Sequence, residues 1–437
     1  MDIDNITYED LSLYSHEEEF SIFHRLDFTR TTGGKDLLLE YFNRPFSKLE
    51  PIYATQRILT LMLERLDQWP ASISNGTIMV MERFYETAID AIPQAENLPA
   101  ALSYKLFHGP DYSMVRYSVG HFADFVRGMN QLVSLLDVPG CPLLGDLLQR
   151  ARRLLDQDVL LSLAKTEPGA KLNAIQVIHY GHYVRERFKT TMQSLIEIHS
   201  RLDAWYSMAM ATRRYRLSFP VFMDQEDPFL DVKSLYHLLL PEPVAYDVRL
   251  DTENNFLFLT GANMAGKSTF IRSVGVVVFL AHLGMGVPAQ SMRLSLFDGI
   301  LSNINVVDNI SKGESFFFNE VQRIRNTLEK IGNKRKWLVL IDELFKGTNV
   351  EDAMKCSTTV IKGLIKIRKS LFILSTHLYE IGEELKVYPN ILFRYFETSV
   401  KDDQLEFSYQ LKEGISNDRI GYLILRREKV VEMLDRL

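Results

Sequence analysis

The sequence predicts an α plus α/β protein: an all-helical domain over residues 1–222, then an α/β domain over residues 223–437 built on a largely parallel sheet. Three observations predict it. Helical apolar spacing dominates the first half. Short apolar runs alternating with helical stretches dominate the second. Pro220 and Pro228, within "RLSFPVFMDQEDPF" (216–229), separate the two textures.

In the first half, "HFADFVRGMNQLVSLL" sets Phe122, Phe125, Val126, Met129, Leu132 and Leu136 on one helical face. Near 176–211, Val184, Thr191, Ile198 and Trp205 recur every seven residues. Phe188, Leu195, Leu202 and Ala209 recur likewise, offset by four. Interleaved spacings of four and three make an a/d seam, so the spacing predicts one long helix acting as a strut. In the second half, "NFLFLTG", "KWLVLIDE" and "SLFILSTH" read as buried parallel strands joined by crossover helices. "ILFRYFETSV" and "LEFSYQLKEG", split by the polar "KDDQ", read as an antiparallel pair. "RIGYLILRREKVVEMLDRL" reads as a closing helix.

Composition narrows the function classes. With 437 residues, 46% hydrophobic, the chain has material for two or three domains. Two cysteines, Cys141 and Cys356, cannot build a disulfide framework and point to a reducing compartment. No apolar run reaches membrane-spanning length. The first twenty residues hold seven acids and no Lys or Arg, unlike a targeting peptide. A cytoplasmic location is expected. The net charge of −6 argues against a general nucleic-acid coat protein, yet residues 101–220 hold 15 Lys/Arg against 10 Asp/Glu. That local excess fits a phosphate-facing surface or a solvated helix face.

The chemistry concentrates after the apolar run ending at Thr260. Gly261, Ala262, Asn263, Met264, Ala265, Gly266, Lys267 and Ser268 match G-x-x-x-x-G-K-S between a strand and a helix, with Thr269 next. The glycines let backbone N–H groups turn around a polyphosphate. Lys267 can reach the β/γ-phosphates, Ser268 can ligand Mg²⁺, and the helix N-terminus favours anions. ATP and Mg²⁺ are therefore the expected cofactors. "LVLIDE" ends a buried strand in Asp342, expected in the Mg²⁺ sphere, and Glu343, expected to polarise the attacking water. His377 ends the next strand and is expected to sense the γ-phosphate. Strand, phosphate loop, acidic pair and strand-end histidine suit an ABC-type ATPase head. The Leu-Ser-Gly-Gly-Gln signature of transporter members is replaced by "DNISKGESFFFNEVQRI" (308–324).

In order, "TGANMAGKST", "GVPAQ", "GESFFFNEV", "IDELFKGTN" and "STHLYEI" resemble the ATPase domain of the MutS mismatch-repair family. Upstream, "SIFHRLDFTRTTGGKDLLLEYFNRPF" (21–46) is similar to the opening of the MutS core, with Thr29, Thr31, Gly33 and Pro45 on the family's pattern. "LDAWYSMAMATRRYRLSFPVF" (202–222) is similar to the end of the lever helices. The resemblance implies a helical core/lever and a catalytic pair of Glu343 and His377. It also implies a homodimer in which two heads sandwich ATP. Ser315 of "GESFFF" then faces the γ-phosphate bound in a partner subunit.

The chain departs from the family at several points. Ala262 and Ala265 stand where Pro and Gly are usual, and Phe345-Lys346-Gly347-Thr348 stands for Gly-Arg-Gly-Thr in a loop at the family's dimer contact. "PVAYDVRL" has no clear counterpart of the family's adenine-stacking aromatic, for which Tyr246 is a candidate. Because the core pattern begins near residue 21, the family's mismatch-reading and connector domains are not expected, and its span of about 200 residues implies a reduced or missing DNA clamp. An appended nuclease domain is not expected either. The expected function is an ATP-hydrolysing protein of DNA mismatch repair or recombination that binds double-stranded or branched DNA by its structure, alongside repair partner proteins. The alternative is a nucleotide-dependent dimeric scaffold that binds proteins and no DNA.

Overall fold

The structure is a computed structural model. It describes all residues except 16–19, 95–97, 168–170, 306–315, 333–334, 402–403, 417–429 and 435–437. In chain order the first elements are β1 (Asp2–Ile3), α1 (Asn5–Asp10), α2 (Ile22–Leu26), α3 (Thr32–Asn43), α4 (Leu49–Leu63), α5 (Asn75–Glu86), α6 (Leu98–Phe107), α7 (Gly109–Leu136), α8 (Pro142–Leu155), α9 (Asp158–Ala164), α10 (Ala174–Glu186) and α11 (Lys189–Tyr215). There follow β2 (Val221–Met223), β3 (Leu230–Leu235), β4 (Tyr246–Leu250), β5 (Phe256–Thr260), α12 (Lys267–His282), β6 (Ser291–Ser295), β7 (Gly299–Asn303), α13 (Phe316–Ile331), β8 (Trp337–Asp342), α14 (Val350–Leu364), β9 (Ser370–Ser375), α15 (Glu380–Leu385), β10 (Ile391–Lys401), β11 (Gln404–Glu413) and α16 (Val430–Leu434).

The chain forms two compact units. One comprises Leu26–Asn43 and Ala54–Arg213; the other comprises Met1–Arg25, Arg44–Tyr53 and Arg214–Leu437. The sequence suggests a single division at 222/223. The structure instead alternates between units four times, assigning residues 1–25 and 44–53 to the unit that holds the sheet.

The helical unit is built as its spacing requires. Phe122, Phe125, Val126, Met129, Leu132 and Leu136 of α7 are fully buried. The seam residues Val184, Phe188, Leu195, Ile198, Leu202, Trp205 and Ala209 are buried as well. The expected single helix over 176–211 is instead two, α10 and α11, broken at Arg187–Phe188. No proline or glycine marks the break. Phe188 is completely buried there, edge-on to Phe122 at 6.0 Å, and its burial outweighs one turn of regular helix. Asp203 of α11 is the polar centre of this unit. Its carboxylate accepts the backbone N–H groups of Arg30 and Thr31 and the Thr31 hydroxyl, at 2.7–3.1 Å. A Cβ on Gly34 would lie 2.1 Å from that carboxylate, so only glycine permits this close approach.

The other unit contains a seven-stranded sheet in the order β1-β7-β8-β9-β5-β10-β11 and a four-stranded sheet in the order β2-β6-β3-β4. In the larger sheet every pairing is parallel except β10 with β11. The three apolar runs of the sequence are β5, β8 and β9, fully buried along their lengths. Their register is what places the site. Leu259 pairs with Ser375, and Ser375 pairs with Asp342, so the carboxyl ends of β5, β9 and β8 lie level. The expected closing helix over 419–437 lies mostly outside the described residues; within them α16 is helical. Among the described residues no helix is long and apolar enough to cross a membrane.

The N-terminal residues of this unit make an unexpected strap. β1 pairs with β7 through Asp2–Gly299 and Ile3–Ile300. α1 then carries Thr7 and Asp10 to the end of β7, where Thr7 Oγ1 accepts Ser302 N–H at 2.9 Å. The buried Asp10 carboxylate accepts Ile304 N–H and Asn305 N–H, both at 2.9 Å.

Candidate functional site

The buried strand β5 ends at Thr260, and the chain turns through Gly261–Gly266 into α12. Gly261 has φ +136° and Gly266 has φ +106°, which L side chains rarely adopt. A Cβ on Gly261 would also meet the Phe396 backbone at 3.1 Å. Ala265, standing where the family usually has Gly, needs no such freedom: its backbone is not left-handed, and the side chain is buried. The strain falls instead on exposed Met264, with φ +69°. Gly266 provides no side-chain cap, leaving the start of this 16-residue helix without one.

Lys267 folds back into the loop. Its ammonium, buried, donates to the carbonyls of Gly261 at 2.7 Å and Ala262 at 2.9 Å. Burial lowers its pKa, against the raising effect of the nearby Glu343 and Asp342 carboxylates. Asp342, buried at the end of β8, accepts the Ser375 hydroxyl. Glu343 follows in a left-handed conformation, φ +63°, with its N–H donated to Ser375 O at 2.9 Å. One carboxylate oxygen lies 3.2 Å from His377 Nδ1 and the other 3.1 Å from Lys346 Nζ. Burial raises the Glu343 carboxyl, but the His377 hydrogen bond and the Lys346 charge more than offset it and hold it down at about 2. The Glu343 hydrogen bond in turn raises His377.

A cavity of about 590 Å³ opens above the loop, lined by Asn263, Met264, Gly266, Lys267, Ser268, Thr269 and Glu343 on one side and by Leu240, Val244, Tyr246 and Tyr409 on the other. The structure thus brings the phosphate-loop residues, Asp342, Glu343 and His377 to one end of one sheet. Ser315 lies outside the described residues. Tyr246, the sequence's stacking candidate, is buried and edge-on to Phe270 at 5.6 Å and Phe396 at 5.5 Å, which leaves little ring to offer. Burial pushes its hydroxyl up to about 12.

Two residues escape sequence reasoning. Tyr409 of β11 is exposed at the cavity rim with φ +52°, and its ring lies 3.5 Å from where a Cβ on Gly266 would stand. Lys346 reaches back onto Glu343 three residues earlier. An aromatic in an alternating strand and a lysine in a turn carry no signal of their own. Only their positions reveal them.

This is a parallel α/β domain with a glycine loop between a buried strand and a long helix, the class in which polyphosphate-binding loops occur. Residues 257–432 match the family described as MutS domain V. Over 245 residues the chain is 30% identical to the DNA mismatch repair protein MutS of Thermotoga maritima, covering 54% of this chain and 30% of that one. It is 30% identical over 232 residues to its namesake in Carboxydothermus hydrogenoformans, with 52% and 27% covered. To the DNA mismatch repair protein msh3 of Aspergillus fumigatus it is 28% identical over 253 residues, with 55% and 22% covered. Residues 257–432 thus belong to the MutS domain V family, and the region matched to each of these relatives spans under a third of that relative.

Proposed function

We propose that the chain is a Mg²⁺-dependent ATPase of DNA mismatch repair or recombination, whose helical unit engages DNA. The observation that carries the reading is the level register of Leu259, Ser375 and Asp342, which gathers a buried ammonium, two carboxylates and a histidine at one sheet end. In this reading the N–H groups of Gly261–Gly266 and the Lys267 ammonium bind the polyphosphate. Thr269 lines the same cradle. The Asp342 carboxylate and the Ser268 hydroxyl are hard oxygen donors of the kind Mg²⁺ takes, so the residues present fit that ion. When bound, the ion neutralises charge on the phosphate oxygens. Glu343 orients the attacking water, His377 contacts the γ-phosphate, and the exposed Tyr409 ring offers a face to the base. Two heads pair, with Ser315 of each completing the site of the other.

DNA engagement rests on the cation excess of residues 101–220, which suits phosphate neutralisation whatever the base sequence. Binding is therefore to backbone geometry, duplex or branched, and not to one mispair. A mobility-shift panel of matched, G·T-mismatched and branched duplexes, with and without ATP across a salt series, tests this. Steep salt dependence and a mismatch preference below about tenfold, or about 1.4 kcal/mol, are expected. A larger preference would reveal a base reader. No binding at any salt would replace the reading with the protein-binding scaffold.

A further inference from the structure

One buried carboxylate beside the site has no part in the scheme above. Glu320 of α13 is almost fully buried, yet it pairs with no cation among the described residues. Its two oxygens accept backbone N–H groups instead: Lys346 at 3.2 Å and Gly347 at 3.4 Å. One turn earlier on α13, Phe317 packs on Phe345 with ring centroids 5.5 Å apart. Both contacts grip the turn that follows the acidic pair.

That turn is unusual in its backbone. Glu343 at φ +63° and Phe345 at φ +59° are both left-handed and neither is glycine. Such residues are strained and persist where surrounding contacts over-determine them. Leu344 and Phe345 are buried, which anchors the turn from below. Glu320 holds its far side, and the held turn directs the Lys346 side chain back to the Glu343 carboxylate at 3.1 Å. Because His377 takes the other oxygen, the carboxylate plane is fixed at both ends.

We infer that Glu320 is a positioning residue for the carboxylate Glu343: through the backbone of the 345–347 turn it sets Lys346 on one Glu343 oxygen, so that the orientation of the water-activating group depends on α13. This rests on the proposed ATPase reading and adds to it a second layer of residues that touch neither nucleotide nor water. Glu320 acts through the turn, and the ion pair of Lys346 is with Glu343. Neither Glu320 nor Lys346 lines the nucleotide cavity, so the effect is expected on kcat rather than on KM.

The experiment is a double-mutant cycle on the full chain, reading kcat and KM for ATP separately. Glu320→Gln replaces one acceptor oxygen by an amide that cannot accept. Lys346→Met removes the ammonium from an exposed stem. Each lowers kcat about tenfold, as expected for a misaligned catalytic group, with KM unchanged. The double variant is no slower than either single one, and Lys346→Arg restores most of the rate. Additive losses, or losses confined to KM, would overturn the inference. Amide hydrogen exchange decides the matter in a chain that does not turn over ATP at all, an outcome that would sink the ATPase reading by itself. There the Lys346 and Gly347 amides should be protected in the wild type and lose protection in Glu320→Gln. Unprotected amides in the wild type would refute the positioning role.

Discussion

His377 Nδ1 lies 3.2 Å from a Glu343 oxygen, joining the chain just past β9 to the chain just past β8. The pair is a charge-assisted contact within a site whose Lys346 takes the other Glu343 oxygen and whose Lys267 is satisfied by loop carbonyls. Ground-state binding and turnover should therefore separate by residue. Lys267→Ala removes the only ammonium inside the loop and should abolish ATP binding. Glu343→Gln keeps the shape and one acceptor oxygen but loses the charge, so it should still bind ATP and turn over about a hundredfold more slowly. Equilibrium binding of a fluorescent ATP analogue and phosphate release measure the two effects. Normal turnover by Glu343→Gln would place the water-activating group elsewhere.

Slowed hydrolysis should also reveal assembly. If two heads close on ATP, Glu343→Gln with Mg²⁺ and ATP will accumulate as a two-fold dimer. Multi-angle light scattering at micromolar concentration checks it. A monomer under those conditions would count against a shared site.

Base recognition should follow Tyr409 and not Tyr246. Tyr409→Ala is expected to weaken ATP about tenfold, close to 1.4 kcal/mol, and to leave tripolyphosphate binding unchanged. Tyr409→Phe keeps the ring and should retain affinity. If Tyr409→Ala binds ATP like the wild type, the base lies against another wall of the cavity.

Acid should destabilise the protein through its buried histidines. Burial, with Arg30 adding to it, holds His199 at about 4 against an ordinary 6.5. Burial likewise holds His282 at about 4, although its bond to Phe46 pulls the other way. His282 uses both nitrogens in the neutral form, donating from Nδ1 to Phe46 O at 2.9 Å and accepting Phe297 N–H at 3.3 Å. The folded values lie below the unfolded ones, so each group contributes stability above pH 6.5 and loses it as pH falls toward 4. The slope is about 1.4 kcal/mol per pH unit for each histidine in that window. Melting curves from pH 7.5 to 4.5 should steepen below 6.5, and His199→Gln should make the dependence shallower. An unchanged slope would show that His199 binds its proton equally in the folded and unfolded states.

The parts legible in the sequence are those whose physics is local. A glycine loop after an apolar strand announces itself through backbone freedom, and β5, β8 and β9 through runs too apolar for any exposed position. The a/d spacing correctly marks buried faces at Leu195, Leu202 and Trp205. It fails to mark the break at Arg187–Phe188, because that break comes from the burial of one ring against Phe122 and not from a turn-forming residue. Two-residue β1 has no alternation to read, and its partner β7 is far along the chain. Lys346 and Glu320 are ordinary until the 343–347 turn brings them to Glu343. The site's residue types are visible in the sequence, and its supporting contacts are not.

The pairing of β1 with β7 bears on how the protein is made. The first strand leaves the ribosome long before Gly299 exists; at ordinary synthesis rates the delay is on the order of tens of seconds. Throughout it the leading segment must stay soluble without its partner, and seven acids with no Lys or Arg in the first twenty residues suit that wait. The converse holds for dissection. A fragment that starts at Arg214 would keep every glycine and carboxylate of the site yet present β7 as a bare, apolar sheet edge, the feature that drives edge-to-edge aggregation. Supplying residues 1–13 as a separate peptide should restore its solubility.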